Sequence, residues 1–360
     1  LIQIFGNLGN LYYISGKLTN SIQYHERAIS LFRSIDDRFS GAAWRNTGAR
    51  LMYNLAVTYS RQGEVDKAIT LGQQAVVYRE SLVFEENRLE FIDDLINSYS
   101  NVAMLLFMKN KYDESIQLSD SALNLIDRSS VQTETLKYAR CIAQICQVKA
   151  MSLRHLDRLT EASGMFEASI RLLRDLSKKL DQAGDIQQLA ITLINHGNLL
   201  KQTKKFDEAI EAYNEGVSIF QTLIAHRGHT EMRPHLAKAY MVQARLFLVK
   251  ESLHEFFQAL LKSLEIYLPL AIQSKNDSSA NQVHKHLKAV SREFNEFISE
   301  KPHQCTKTQS ESEYQTLPHL ISLLCRLIEI SDETAKEDIR TLIQLLQSRE
   351  KGDYELKPEG

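Results

Sequence analysis

The chain has 360 residues, of which 43% are hydrophobic and 24% are charged, and its formal net charge is −2. This composition is typical of a globular protein, and the length allows two or three domains or one long repeat array. The balanced charge offers no basic face for nucleic acid, the apolar runs are too short to span a bilayer, and four cysteines make no disulfide framework.

From these numbers we expect a cytoplasmic protein that has no membrane segment and makes no direct contact with nucleic acid. The chain begins at Leu1 with LIQIFGNLGNLYY, which reads as the inside of a helix and not as a signal peptide. We expect this start to be a cut through a longer protein.

A similar sequence segment recurs every 47 residues from the start of the chain. It reads GKLTNSIQYHERAISL from Gly16, GEVDKAITLGQQAVVY from Gly63 and NKYDESIQLSDSALNL from Asn110. A small residue marks six copies at the same interval: Gly9, Ala56, Ala103, Ala150, Gly197 and Ala244. A second column holds Ser21, Ala68, Ser115, Ala162, Ala209 and, as an exception, Phe256. A third column holds Ala28, Ala75, Ala122, Ser169, Gly216 and Ser263.

Each copy is predicted to form two helices joined by a tight turn. Apolar residues recur at intervals of three, four and seven, which indicates helices, and the small residues let two helix axes approach to about 8–10 Å. Three turn residues suit the left-handed conformation that closes a helix: Gly16, Gly63 and Asn110. Three aspartates at the start of the second helix suit capping and the helix dipole: Asp66, Asp113 and Asp207.

The order of elements predicts five parts along the chain. They are six helical hairpins in 1–273, the first truncated at its N-terminus, a degenerate seventh or capping helix in 274–300, a linker loop in 301–316, a helical pair in 317–349 and a disordered tail in 350–360. The capping helix keeps an apolar stripe of Val283, Leu287, Val290 and Phe294.

The repeat resembles the tetratricopeptide repeat family in NLGNLYYISGKLTNSIQYHERAISL, YNLAVTYSRQGEVDKAITLGQQAV and HGNLLKQTKKFDEAIEAYNEGVSIF. This resemblance implies an all-α fold, a right-handed α-solenoid of stacked antiparallel helix pairs. The usual unit is about 34 residues long and ends at a proline. This chain has no proline at that place: Arg33, Glu80, Asp127, Arg174, Gln221 and Leu268. We therefore expect helices of about 20 residues, about 30 Å long. Long units of this kind resemble the sensor segments that flank NTPase or CHAT-peptidase modules in multidomain proteins.

Residues that suggest chemistry are few, and we predict no enzymatic activity, no cofactor and no metal. Cys141 and Cys146 lie roughly 140° apart around one helix, so they cannot share a metal and are expected to be buried thiols. A histidine cluster in a predicted turn lacks completing ligands: His226, His229 and His235. His303 and Cys305 lie in a polar loop without the scaffold that a protease pair needs.

The first helices are predicted to line a concave face that binds a protein or peptide. The candidate binding residues are Asn7, Asn10, Tyr53, Asn54, Arg61, Asn101, Met104, Phe107, Met108, Arg154, Asn195, Asn198, Lys201 and Arg245, beside Tyr13, Val57, Ser60 and Ser100. Asparagine amides can bond a peptide backbone through both donor and acceptor. The repeated asparagines are either such a ladder or a feature of the family consensus, and Met104, Phe107 and Met108 are either an adaptable surface or core.

Two functions follow from this reading. The first is a non-enzymatic scaffold that binds an extended peptide or a partner helix. The alternative is a regulatory arm whose partner is another domain of the same full-length protein, an NTPase or a caspase-like peptidase. A chaperone-tail carboxylate clamp is rejected: Asn10 and Asn54 match it, but Gly6, Asn97 and Asn101 stand where it needs cations. RNA is the weakest alternative, because the charge is neutral.

Overall fold

The structure is a computed structural model. It describes residues 1–35, 41–128, 135–273, 288–294, 296–297, 299–300, 318–324 and 333–351. The regular elements of these residues are all helical, as predicted. The long helices are α1 (Ile2–Ile14), α2 (Leu18–Ile35), α3 (Ala42–Gln62), α4 (Val65–Glu80), α5 (Ile92–Met108), α6 (Tyr112–Arg128), α7 (Thr135–His155), α8 (Leu159–Leu180), α9 (Ala183–Gln202), α10 (Phe206–Arg227), α11 (Arg233–Val249), α12 (Leu253–Gln273) and α13 (Glu333–Lys351).

Consecutive helices pair into six hairpins, α1 with α2 through α11 with α12. Most of these helices have 16 to 22 residues, which confirms the expected length. A π-helical turn, Ser81–Glu85, extends α4, and short 3₁₀ turns, Leu89–Phe91 and Thr230–Met232, precede α5 and α11. Within the described part of the chain, no helix is both long and apolar enough to cross a bilayer.

The turn inside each hairpin has the same backbone geometry. Its left-handed residue has φ between 59° and 92° in all six copies: Gly16, Gly63, Asn110, Asp157, Lys204 and Glu251. In the second copy, the amide of Gly63 donates to the Ser60 carbonyl at 3.1 Å, and that of Glu64 donates to the Tyr59 carbonyl at 2.9 Å. These two bonds close the helix in the Schellman manner. Three of the six residues were predicted; the other three, with bulkier side chains, were not.

The columns of small residues form the contact between the helices of each hairpin. All six residues of the first column are buried, and so are all residues of the second and third columns, including the exceptional Phe256. The second helix of one hairpin then packs on the first helix of the next within each part of the array, as α2 does on α3, α4 on α5, α6 on α7 and α10 on α11. The stacked helical hairpins predicted from the 47-residue period are confirmed as an all-α solenoid fold.

The capping role expected for the aspartates is wrong for two of them. The residues that precede α4 and α10 are Glu64 and Lys205, and neither helix has a side-chain cap bond. Asp66 and Asp207 lie in the first turn, where the helix dipole favours a negative charge. Their carboxylates instead bind lysines 43 residues later, which belong to the following hairpin: Lys109 at 2.9 Å and Lys250 at 2.6 Å.

The chain folds into two compact units, Leu1–Asp181 (unit 1) and Gln182–Gly360 (unit 2). Unit 1 contains the first four hairpins. Unit 2 contains the last two, together with the helical residues 288–294 and 318–324 and helix α13.

The core of unit 2 joins α12 to the later helices. Phe256 stacks on Phe294 with ring centroids 5.3 Å apart, and α13 contributes Leu342 and Leu346 to the same cluster. Residues 288–294 are helical, and Ser291 continues the first column of small residues at the same 47-residue interval. Val283, Leu287, the predicted loop 301–316 and residues 352–360 lie outside the described residues.

Candidate functional site

Four first helices of unit 1 are neighbours in the order α1, α3, α5 and α7, and their side chains line a groove of about 230 Å³. We call it the first-helix groove. Its lining residues are Tyr13, Tyr53, Val57, Ser60, Arg61, Asn97, Ser100, Asn101, Met104, Leu105 and Gln144. The volume exceeds the roughly 150 Å³ of an engineered cavity that holds benzene, so the groove has room for a ligand side chain.

The structure brings some of the predicted binding residues together in this groove and leaves others outside it. Four of them line it: Tyr53, Arg61, Asn101 and Met104. Six others of unit 1 are not among its lining residues: Asn7, Asn10, Asn54, Phe107, Met108 and Arg154. The repeated asparagines therefore do not form one continuous ladder here, because Asn101 alone of Asn7, Asn54 and Asn101 lines the groove.

One wall of the groove carries an arginine held by an aromatic ring. The guanidinium carbon of Arg61, at the end of α3, lies 5.0 Å from the ring centre of Tyr13 on α1. This contact fixes the position of the charge without neutralising it. No described carboxylate is placed to form an ion pair with Arg61.

The opposite wall, on α5, carries a buried hydroxyl and a half-buried amide. Ser100 is 5% exposed, and its hydroxyl oxygen has no hydrogen-bond partner among the described residues. A buried hydroxyl without a partner costs about 1–3 kcal/mol. Asn101 is half-buried one residue later, and its amide makes no bond to a described residue.

A buried arginine of α4 contacts Tyr53, which is one of the residues that line the groove. The side chain of Arg79 is 2% exposed, and its guanidinium carbon lies 5.5 Å from the ring centre of Tyr53. Burial lowers the pKa of Arg79, and the carboxylate of Asp94 opposes that shift. Arg79 donates to the carbonyl of Asp94 at 3.0 Å, to the hydroxyl of Ser98, and to the amide oxygen of Asn46 at 3.3 Å. These bonds hold the guanidinium below Tyr53.

Sequence reasoning missed three members of this site. Asn97 was considered only as a position of the rejected carboxylate clamp, and Gln144 was not considered; a longer window on each first helix would have included both. Arg79 was missed because it lies on a second helix. Its column holds a buried, largely apolar residue in the other five copies: Phe32, Ile126, Leu173, Phe220 and Tyr267. The single arginine in this largely apolar column is visible in the sequence and could have identified Arg79 as an unusual buried residue.

Beyond the groove, the end of α5 carries an aromatic cluster. Phe107 lies 5.6 Å from the ring of His155, and His155 stacks on Tyr112 at 4.7 Å with the planes 6° apart. The pKa of His155 is lowered by partial burial and by the nearby charge of Arg154. Phe107 thus packs against aromatic side chains of its own chain, whereas the side chain of Met108 beside it is 49% exposed.

A second groove of unit 1, of about 540 Å³, lies between α2, α3 and α4. Its polar groups bond to one another. The hydroxyl of Tyr59 donates to Glu26 at 2.6 Å, and Arg33 donates to Gln74 at 3.3 Å. Burial and the Glu26 carboxylate together raise the pKa of Tyr59 to about 12. This groove therefore offers a ligand fewer unsatisfied groups than the first-helix groove does.

The predicted binding residues of unit 2 contact their own chain. Arg245 forms a bidentate ion pair with Glu293, which lies in the helical residues 288–294, and one of its bonds is 2.8 Å long. The amide oxygen of Asn198 accepts the hydroxyl of Tyr213 at 2.8 Å. Burial and the nearby Arg245 charge lower the pKa of Lys201. Asn195 is half-buried on the same helix.

The residues that suggested chemistry have ordinary surroundings. Burial raises the pKa of both Cys141 and Cys146 to about 11, although Cys141 is only half-buried. His229 contacts Glu231 at 2.9 Å, and His235 stacks on Phe220. Nowhere in the described ranges do three or more His, Cys, Asp or Glu side chains gather in a way that could hold a metal ion. His303 and Cys305 lie outside those ranges.

Comparisons with known proteins agree with the fold. Residues 1–81 and 178–222 match models described as Tetratricopeptide repeat, so the chain carries such repeats in both segments. These repeats are a general type of protein-interaction scaffold, and proteins that contain them are in general non-catalytic. No curated protein sequence matches the chain.

Two crystal structures share the architecture. The apo form of RapI superposes with a TM-score of 0.58 at 13% identity, over 94% of this chain and 98% of that one. BtubC (BKLC) from P. vanneervenii gives a TM-score of 0.53 at 18% identity, over 69% of this chain and 90% of that one. At these identities the likeness extends to the fold alone.

Proposed function

We propose that the protein is a non-enzymatic interaction scaffold that holds an extended peptide segment in the first-helix groove of unit 1. The observation that carries this proposal is the half-buried amide of Asn101, which lines the groove beside the amides of Asn97 and Gln144 and makes no bond to a described residue. Two buried hydroxyls on second helices of unit 1, those of Ser115 and Ser169, by contrast donate to backbone carbonyls.

The groove suits an extended backbone better than a rigid small molecule. The amides of Asn97, Asn101 and Gln144 each present a donor and an acceptor, which is what a peptide group requires. Val57 and Met104 add apolar surface between them for side chains. A helical partner would satisfy its own backbone groups and leave these amides unused.

The test begins with selection of binders from a displayed library of random dodecapeptides against the full chain. We expect selected peptides to lose affinity about tenfold or more on the Asn97→Ala, Asn101→Ala double variant, because two charge-neutral bonds and their geometry are lost. The matched control is Asn124→Ala, an exposed asparagine on α6 outside the groove. Peptides that bind the groove variant and the wild type equally would refute the proposal.

A second candidate is the regulatory arm of a larger enzyme. It is favoured by the outer face of α1, where Ile4 is 57% exposed and Leu11 is 62% exposed. One repeat later the same columns hold Leu51 and Thr58, which are 3% and 0% exposed. We infer that this face accepts a further hairpin or domain. Sequencing of the complete reading frame tests it: an adjoining NTPase or peptidase motif supports the arm, and a frame without one contradicts it.

A further inference from the structure

The first-helix groove has an uneven charge. Of its eleven lining residues, Arg61 is the one with a formal charge at neutral pH, and none is a carboxylate. Several other cations of unit 1 form ion pairs, as Arg45 does with Glu86, Lys109 with Asp66 and Lys149 with Asp120. The groove therefore presents one uncompensated positive charge to whatever enters it.

The geometry of Arg61 suits a carboxylate. The Tyr13 ring restrains the guanidinium plane, so less side-chain freedom is lost when a partner binds. A guanidinium can donate two parallel bonds to one carboxylate, and such charge-assisted bonds are about twice as strong as neutral ones. The amides of the neighbouring wall can hold the backbone on either side of the acidic residue.

We propose that the groove selects an extended segment with an aspartate or glutamate whose carboxylate binds Arg61. This inference rests on the proposed function, and it adds the chemical class of the segment. A lysine or arginine at that position of the segment would meet the Arg61 charge and be rejected.

The test uses the dodecapeptides selected above on the full chain. Each acidic residue of a selected peptide is replaced in turn by the neutral amide of the same shape, Glu by Gln or Asp by Asn, and the dissociation constants are measured by fluorescence anisotropy. We expect one acidic position at which the replacement weakens binding about five- to tenfold. On the Arg61→Gln variant, the original and the replaced peptides should bind equally.

The matched control is Arg27→Gln. Arg27 is an exposed arginine whose guanidinium carbon lies 5.7 Å from the ring centre of Tyr24, on the outer helix α2. That variant should keep the full preference for the acidic peptide. The Arg61→Lys variant should keep part of this preference, because an ammonium group retains the positive charge but cannot donate two parallel bonds to one carboxylate.

The outcomes separate the two proposals. If selected peptides depend on Asn97 and Asn101 but show no preference for an acidic residue, the peptide groove stands and the acidic specificity is overturned. If the preference persists in Arg61→Gln, another cation provides it and the assignment to Arg61 is wrong. If no peptide depends on the groove amides, the proposed function fails and this inference fails with it.

Discussion

Gly197 lies on α9 directly against a ring of α10. A Cβ atom at Gly197 would be 2.6 Å from Cε1 and 2.7 Å from Cδ1 of Tyr213. The ring is fully buried, and its hydroxyl bonds Asn198 at 2.8 Å, so it cannot move away without loss. Gly197→Ala therefore costs about 1–3 kcal/mol by overpacking and about 1 kcal/mol by the bond, against a helix-propensity gain of about 1 kcal/mol. We expect a net loss of about 1–3 kcal/mol.

The assay is urea unfolding of the full chain, followed by helical circular dichroism. The control is Gly184→Ala on the same helix, where an added Cβ meets nothing within 4 Å, and stability should rise by up to about 1 kcal/mol. Adding Tyr213→Leu to Gly197→Ala reproduces the Ala244 and Leu260 pair of the sixth copy and should recover part of the loss. A Gly197→Ala protein as stable as the wild type would refute the reasoning.

Three further predictions concern stability. Lys204 has φ of 61°, so Lys204→Gly should raise the free energy of unfolding by about 1 kcal/mol, and an unchanged urea midpoint would count against the strain. Burial lowers the pKa of His25 to about 4, so its imidazole is neutral in the fold and the unfolded chain binds the proton first. The contribution of His25 to the free energy of unfolding should be complete above about pH 6.5, smaller by about 2 kcal/mol near pH 5, and lost further until the pH falls below the folded pKa. The His25→Phe variant should show a flatter dependence of stability on pH. If the variant and the wild type have the same dependence, the assignment to His25 is wrong. Arg79→Met should cost about 2–4 kcal/mol, because it leaves Ser98 and Asn46 without their donor, whereas Leu173→Met in the same column should cost under about 1.5 kcal/mol. Equal losses in the two variants would show that the polar cluster is not held by Arg79.

The sequence contained most of the fold because one period repeats. The small-residue columns show where two helices touch, and the same spacing recurs in all six copies. The hairpins and their turns could therefore be predicted from the sequence. The same columns identified the face that carries Tyr53, Arg61, Asn101 and Met104.

The columns do not show which partners the individual side chains bind. The pairing of Asp66 with Lys109 depends on the distance between two stacked hairpins, and the sequence of one repeat does not give that distance. The left-handed turns at Lys204 and Glu251 are imposed by packing, although these residue types disfavour them. Arg245 was predicted to face a ligand, and it bonds Glu293, which lies 48 residues later in the chain.

The cluster around Arg79 has a consequence for how the chain assembles. Hairpins with matching columns can stack in the wrong order, and repeat proteins misfold in this way. Ser98, which accepts from Arg79, is replaced in the same column by Leu51 and Ile145 in the neighbouring copies. If the second hairpin met the wrong successor, the guanidinium would be buried against an aliphatic side chain. We therefore expect Arg79 to favour the third hairpin over the second and fourth as the neighbour of the second helix that carries it.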